Sequence, residues 1–179
     1  KRGGVGMGKL FVGYLFIFLN LNITIDNHVI ALLPGFVGYY FMVKGLNERS
    51  SQSEKFETVR PFAVGMGVYT GIFFVTDLLG VTSALGLMAW ILSLIAMAIS
   101  LYISYAIIQG IEEIEEKRNV NLEGKSLKQI WVFMAVMQVV TQVMVWVPSL
   151  AFFCAMLTII LTIVYLVCFH KTKTLYEAL

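Results

Sequence analysis

Six runs of apolar residues alternate with polar or charged segments along the chain. A helix needs about 20 apolar residues, with a range of about 17 to 25, to cross a bilayer. The last four runs reach that length, whereas the first two fall short of it. We therefore predict an all-α, polytopic transmembrane helical bundle with six spans arranged as three helical hairpins. The predicted spans are Leu10–Ile25, Val29–Val43, Pro61–Leu79, Ala84–Ile108, Ile130–Val147 and Leu150–Phe169.

The first two runs are the short arms of a hairpin around a polar turn at residues 26–28. Each helical arm would measure roughly 24 Å or less, against a hydrocarbon core of about 30 Å. Pro34 is expected to kink the second arm. We predict an outward-facing depression floored by this turn and walled by spans three to six, with Asn20 or Asn22 and Gln142 near its base. The alternative is that both helices continue through the turn and reach the surface.

Positive charge is sorted along the chain. All 13 lysines and arginines lie before the first run, in the segments 44–60 and 109–129, or after the last run. The tight turns at 26–28, 80–83 and 148–149 carry none of them. Because Lys and Arg are retained on the cytoplasmic side of a membrane, this sorting predicts a multi-pass protein of the cell membrane with both termini in the cytoplasm.

The composition supports a single membrane domain over residues 1–179. Hydrophobic residues make up 59% of the chain and charged residues 13%, whereas a soluble domain has about 25% charged residues. So few charges cannot cover a water-facing surface, so apolar side chains must also face lipid. The two cysteines, Cys154 and Cys168, lie in one predicted helix at roughly 21 Å from each other, which excludes a disulfide between them there.

Neutral polar residues inside the predicted spans are candidates for a ligand site, because they cost energy in lipid. Gln138 and Gln142 are four residues apart and share a helix face, and Tyr69 and Thr158 are expected at a similar depth. We predict a polar pocket that binds or transports a small neutral or zwitterionic molecule. The alternative interpretation is hydrogen bonding between helices without a ligand. The predicted ligand-binding residues are Asn20, Asn22, Tyr69, Gln138, Gln142 and Thr158, and the predicted outer mouth is Asp26, His28 and Asp77.

Small residues predict a close contact between the third and fourth spans. Gly67 and Gly71 are four residues apart, as are Ala96 and Ser100, and such spacing lets two helix backbones approach each other. These four residues are therefore predicted helix-packing positions. The functional alternative is a glycine face that lines a gate or a substrate path.

The sequence predicts no catalytic residue, no metal site and no cofactor. It lacks the common nucleophile and zinc motifs, and no Asp, Glu, Lys or Arg falls at mid-span, which argues against a proton-driven transporter. We therefore predict a protein that is not an enzyme and does not bind nucleic acid. Its expected partners are the lipid bilayer and either further copies of itself or another membrane subunit. The alternative function is that of a non-transporting structural or signalling subunit that docks partner proteins.

The segment Leu32-Leu33-Pro34-Gly35-Phe36-Val37-Gly38-Tyr39 resembles an LLPxFxGY motif of small bacterial polytopic membrane proteins with no assigned function. The resemblance covers roughly residues 10–56, and Gly35 stands where an acidic residue is common in that group. It implies a membrane fold and no particular activity. Size and span count also resemble the substrate-binding subunits of energy-coupling-factor vitamin importers, although their alanine-spaced coupling motif is not seen in the first span.

Overall fold

The computed structural model describes residues 5–18, 22–25, 28–31, 34–80, 85–144 and 147–178. The described residues form six helices and one antiparallel pair of short strands. In chain order the elements are α1 (Val5–Phe18), β1 (Asn22–Ile25), β2 (His28–Ala31), α2 (Gly35–Arg49), α3 (Glu54–Leu78), α4 (Leu87–Arg118), α5 (Gly124–Val143) and α6 (Pro148–Glu177).

The six helices close into a ring. Within the described parts of the chain, each helix packs against its neighbours in the sequence, and α6 returns to contact α1. From α2 onward, short connections favour this order, because consecutive helices joined by a few residues lie beside each other; the β1–β2 pair joins α1 to α2. Side chains from opposite helices fill the centre, and Tyr14, Met42, Ile107 and Phe169 are fully or almost fully buried there.

Three helical segments are long and apolar enough to cross a membrane, namely α3, α4 and the Phe152–Glu177 part of α6. Large apolar side chains on these helices are exposed, including Ile72, Ile95 and Ile160, as expected for surfaces that face lipid. The expectation of a helical membrane protein is confirmed in this coarser form, with three such helices where the sequence predicted six. Lysines and glutamines lower the hydropathy of α5, and α1 is apolar but short.

The predicted bounds of the first two spans are wrong. Residues that were assigned to helices form β1 and β2, which pair so that Ile25 lies opposite His28. The strands are rich in the β-branched residues Ile, Val and Thr, which favour extended backbone. Pro34 has extended backbone angles, φ −63° and ψ 127°, and immediately precedes α2. It therefore begins the helix instead of kinking it.

Glycines bring α1 and α2 into backbone contact. A Cβ atom built on Gly38 would lie 2.8 Å from the carbonyl oxygen of Gly13, and one built on Gly45 would lie 2.8 Å from the carbonyl oxygen of Gly6. In each helix the two glycines are seven residues apart, so they recur on one face after two turns. At Gly13, Gly38 and Gly45 a larger residue would therefore require the backbone of the other helix to move.

The charged end of α4 is held against α3. Ile107, Ile111 and Ile114 are buried along one face of α4, and the ring of Phe56 lies directly against Gly110. Ser53 caps α3, where its hydroxyl accepts a hydrogen bond of 3.1 Å from the backbone N–H of Lys55. Helical structure therefore continues beyond the apolar runs at this end of the bundle.

Candidate functional site

An apolar groove runs along the outside of the ring between α3 and α4. Its volume is about 450 Å³, which is within the range of about 300 to 1,000 Å³ common for small-molecule sites. Phe62 meets Tyr102 at one end of it, with 5.1 Å between the ring centroids. The groove extends roughly 12 Å from Pro61 to Tyr69. The residues that line it are Pro61, Phe62, Gly65, Met66, Tyr69, Leu92, Ile95, Ala96 and Ile99.

The groove exists because small residues lie where two helices would otherwise fill the space. A Cβ atom built on Gly65 would have no neighbour within 4 Å, and Ala96 faces it from α4. Tyr69 supplies the single hydroxyl group of the lining, and its ring packs on Phe73 at 4.5 Å. The site can therefore accept an apolar chain. The hydroxyl of Tyr69, at the end of the groove away from Pro61, is the one side-chain group of the lining that could form a hydrogen bond with it.

The predicted contact through Gly67 and Gly71 is made with a different helix. Gly67 lies against Tyr39 and Gly71 against Phe36, so this face of α3 packs on α2 instead of α4. Tyr39 also reaches α4, where its hydroxyl donates a hydrogen bond of 3.2 Å to Ser100. Sequence spacing identified a face suited to close packing but could not identify the helix that occupies it.

The polar residues predicted to form one pocket lie in different places. Tyr69 lies in the α3–α4 groove, whereas the hydroxyl oxygens of Thr158 and Thr141 are 3.3 Å apart between α6 and α5. Gln138 and Gln142 are half-buried on α5 and do not line the groove. The threonine pair fits the alternative interpretation, a hydrogen bond between helices.

The predicted outer mouth is described only in part. Asn20 and Asp26 lie outside the described residues. Asn22 belongs to β1 and His28 to β2, and Asp77 is exposed in the last turn of α3. The β2 strand contacts α3, and α3 continues from Gly71 to Leu78 for roughly 10 Å beyond the start of α2. The strand pair therefore lies beside the last turns of α3.

Ion pairs link the helices at the opposite end of the bundle. The ammonium group of Lys128 on α5 donates a hydrogen bond of 2.9 Å to Glu112 on α4, and this bond raises the pKa of Lys128. Three further polar pairs join α1 to α2, α3 to α4, and α6 to the loop before α5, and they are Lys9–Glu48, Ser53–Glu113 and Lys171–Glu123. The basic residues that the structure describes therefore gather at one end, as their distribution in the sequence predicted.

An open pocket of about 760 Å³ at this end is lined mainly by charged residues of α4 and α5. Three of its four carboxylates have structural partners, and Glu123 pairs with Lys171. Glu115 accepts hydrogen bonds from the backbone N–H groups of Leu122 and Gly124, and Glu112 pairs with Lys128. Within the described residues, no three His, Cys, Asp or Glu side chains are placed to hold a metal ion. This pocket is therefore part of the loop structure between the two helices.

Arg49 is a buried guanidinium group at the same end, and no pattern in the sequence distinguishes it from the other basic residues. Its side chain stacks on the ring of Tyr176, with 4.4 Å between Cζ and the ring centroid, and Nη1 donates a hydrogen bond to the Tyr176 hydroxyl. That hydroxyl donates in turn to Gln52 at 2.8 Å. Burial lowers the pKa of Arg49, although the nearby Tyr176 opposes this shift.

A second group of buried polar atoms lies at the centre of the ring. The hydroxyl groups of Tyr14 on α1 and Tyr165 on α6 are buried there. Neither tyrosine hydroxyl makes a hydrogen bond of normal geometry within the described residues. The rings themselves pack tightly, with 5.5 Å between the centroids of Tyr14 and Tyr165. This part of the centre is closed by aromatic contacts.

A search of family models, of curated proteins and of solved structures found no match to this chain.

Proposed function

We propose that the chain is an integral membrane protein that binds a neutral or zwitterionic amphiphile, with its apolar chain in the α3–α4 groove. The observation that carries this proposal is the empty space beside Gly65 in a groove whose other walls are apolar apart from Tyr69. Within a bilayer no water leaves the groove, so a bound chain would be held by van der Waals contacts with its walls. The proposal keeps the neutral or zwitterionic ligand that the sequence predicted. It differs in the site, which is an apolar groove on the side of the bundle and not a polar pocket inside it.

The charged end of the groove suits a zwitterionic head group. Glu57 and Arg60 precede Pro61 on α3 and are both exposed, and residues three apart lie near each other on a helix surface. Phe62 and Tyr102 lie at the same level, and aromatic residues commonly mark the border between lipid and water. A bound phospholipid would thus place its chain beside Gly65 and its head group near the opposite charges of Glu57 and Arg60.

A transmembrane helix of a partner subunit is a second candidate occupant. Gly65 and Ala96 are small residues on the groove wall, and small residues allow close approach of helices in membranes. Such a partner would correspond to the alternative function predicted from the sequence, a subunit that docks partner proteins.

We propose that the charged end faces the cytoplasm of the cell. The gathering of lysines and arginines there supports this orientation. The finer topology follows the sequence prediction, with six passes, α1 and α2 forming a short hairpin, and both termini on the cytoplasmic side.

Replacement of Gly65 by tryptophan tests the groove directly. The indole should fill the space in which a Cβ has no neighbour and should displace a bound chain. The matched control is Val68→Trp, because Val68 is exposed on the same helix and does not line the groove. The measurement is native mass spectrometry of protein released from nanodiscs of phosphatidylcholine or phosphatidylethanolamine.

We expect wild type and Val68→Trp to retain a phospholipid that Gly65→Trp loses. Equal retention by both variants would refute the groove as the lipid site. A protein subunit that co-purifies with wild type and is lost from Gly65→Trp would instead support the docking function.

A further inference from the structure

Arg49 carries hydrogen-bonding capacity that the described protein does not use. Its side chain is 3% exposed, and Nε and Nη2 are buried without a hydrogen-bond partner within the described residues. A buried unpaired charge is costly, and such charges are normally paired or hydrogen-bonded. The single polar contact through Nη1 to Tyr176 leaves most of the guanidinium fork unsatisfied.

A second arginine lies at the same tyrosine. The Cζ atom of Arg118 is 5.7 Å from the centroid of the Tyr176 ring, and its charge interacts with that of Arg49. The acidic side chains around them are engaged elsewhere, because Glu48 pairs with Lys9, and Glu113 with Lys117 and Ser53. Both guanidinium groups therefore lie close to one tyrosine ring, at 4.4 Å and 5.7 Å from its centroid, and the carboxylates of Glu48 and Glu113 form ion pairs with lysines.

We propose that Arg49 and Arg118 form a binding site for a phosphate oxyanion, from either a lipid head group or free inorganic phosphate. Guanidinium groups bind such anions through paired N–H donors with matching geometry. The site is independent of the α3–α4 groove, since none of its residues lines that groove.

The positions of Arg49 and Arg118 at helix ends account for their positive charges. They do not account for the unpaired N–H groups of Arg49. Arg49 and Arg118 are the last residues of α2 and α4, and Tyr176 lies in the last turn of α6. Helix C-termini carry partial negative charge that favours nearby cations. No carbonyl group of the described residues accepts a hydrogen bond from Nε or Nη2, however.

Binding requires a local opening. Gly6 covers Arg49 so closely that a Cβ atom on it would lie 2.6 Å from Nε. The anion is therefore admitted when the first turn of α1 moves, and helix ends are among the parts of a fold that open most readily. Arg118 is exposed and provides the first contact for an approaching anion.

The test compares thermal unfolding of three proteins in neutral detergent, with sodium phosphate or with sodium chloride at matched ionic strength. The variants are Arg118→Gln and the control Lys44→Gln, which removes an exposed positive charge at the same end. At phosphate concentrations about a hundredfold above the dissociation constant, we expect wild type and the control to gain on the order of 5 °C. Arg118→Gln should lose most of that gain. This variant leaves Arg49 and its contact with Tyr176 unchanged.

A parallel series replaces phosphate with mixed micelles that contain phosphatidic acid or phosphatidylcholine. Stabilisation by phosphatidic acid but not by inorganic phosphate, lost in Arg118→Gln, would support the same site and identify a lipid head group as the source. An equal gain in all three proteins, or no gain with either anion, would overturn the proposal. Arg49→Lys is the further variant, and it should weaken binding because an ammonium group lacks the planar fork.

Discussion

Replacing Gly38 by alanine is expected to destabilise the bundle, although alanine is the better helix former. The new methyl group would lie 2.8 Å from the carbonyl oxygen of Gly13 and 2.8 Å from Cγ1 of Ile17. The isoleucine can adjust its rotamer, whereas the oxygen belongs to the backbone of α1. The two helices must therefore separate, and the contacts along their shared face weaken.

The magnitude follows from two opposing effects. Overpacking of this kind costs about 1–3 kcal/mol, and the gain in helix propensity from glycine to alanine is roughly 1 kcal/mol. Because the clash is with a backbone oxygen, the cost should lie at about 2–3 kcal/mol, and we expect a net loss of about 1–2 kcal/mol in the free energy of unfolding. For a chain of this size, that loss corresponds to a fall of roughly 2–8 °C in Tm.

The matched control is the same substitution at Gly65, where an added Cβ has no neighbour within 4 Å. This change should leave stability unchanged or raise it by up to about 1 kcal/mol. Unfolding in mild detergent, followed by circular dichroism, measures both variants. The reasoning would be refuted if Gly38→Ala were as stable as the wild type, or if the two variants lost the same stability.

Three further predictions follow from other contacts. Tyr39→Phe should lose about 0.5–1.5 kcal/mol of unfolding free energy with its hydrogen bond to Ser100, while the exposed Tyr40→Phe should lose less; equal losses would contradict this. The hydrogen bond to Glu112 raises the pKa of Lys128 above the ordinary 10.5. The stabilisation by the Lys128–Glu112 pair is therefore complete below pH 10.5 and is lost as the pH rises through the higher pKa of the folded state. The difference in Tm between wild type and Lys128→Met should therefore shrink above about pH 10.5, and a constant difference would count against the ion pair. In a background without Cys154 and Cys168, single cysteines at Lys55, Lys125 and Lys173 should be labelled from the cytoplasmic side and those at Asp26 and Ser83 from the other side, and outward labelling at position 125 would reject the proposed topology.

The positions of the last four helices could be predicted from apolar runs, because burial in lipid requires long stretches of apolar residues. The runs nevertheless underestimate helix length at the charged end. There α3 begins at Glu54, where Ser53 supplies a cap, and α4 continues to Arg118. A hydropathy pattern identifies the part of a helix that can lie in lipid and does not detect a polar extension of the same helix.

The first hairpin shows where the apolar pattern fails. A short apolar segment is compatible with either a helix or a strand. The β-branched residues between Ile23 and Ile30 favour extended backbone, and the structure has strands there. A second signal was present but unused, namely the seven-residue spacing of Gly6 with Gly13 and of Gly38 with Gly45. That spacing indicates a close helix contact, and the structure places it between α1 and α2.

The candidate sites depend on which helices meet, which a single sequence does not encode in any simple pattern. Tyr69 was predicted to share a pocket with Gln138 and Thr158, but it faces Ala96 and Leu92 across the groove. Arg49 looked like one of several basic residues in a cytoplasmic loop. Its significance comes from burial against Tyr176, which is far from it in the sequence.

Polar and apolar contacts are divided between the two ends of the bundle, and this division bears on both proposals. Ion pairs and the Arg49–Tyr176 contact join the helices at the charged end, whereas small residues on α3 and α4 leave the groove between Pro61 and Tyr69. Phe56 packs on Gly110 and joins the two helices at the charged end, before the groove begins. A chain bound in the groove would therefore act on helices that are fixed at one end, so its effect should be transmitted to the strand pair and the last turns of α3. The proposed phosphate site lies at the charged end and shares no residue with the groove, so an anion bound there should act on the Arg49–Tyr176 contact and not on the groove.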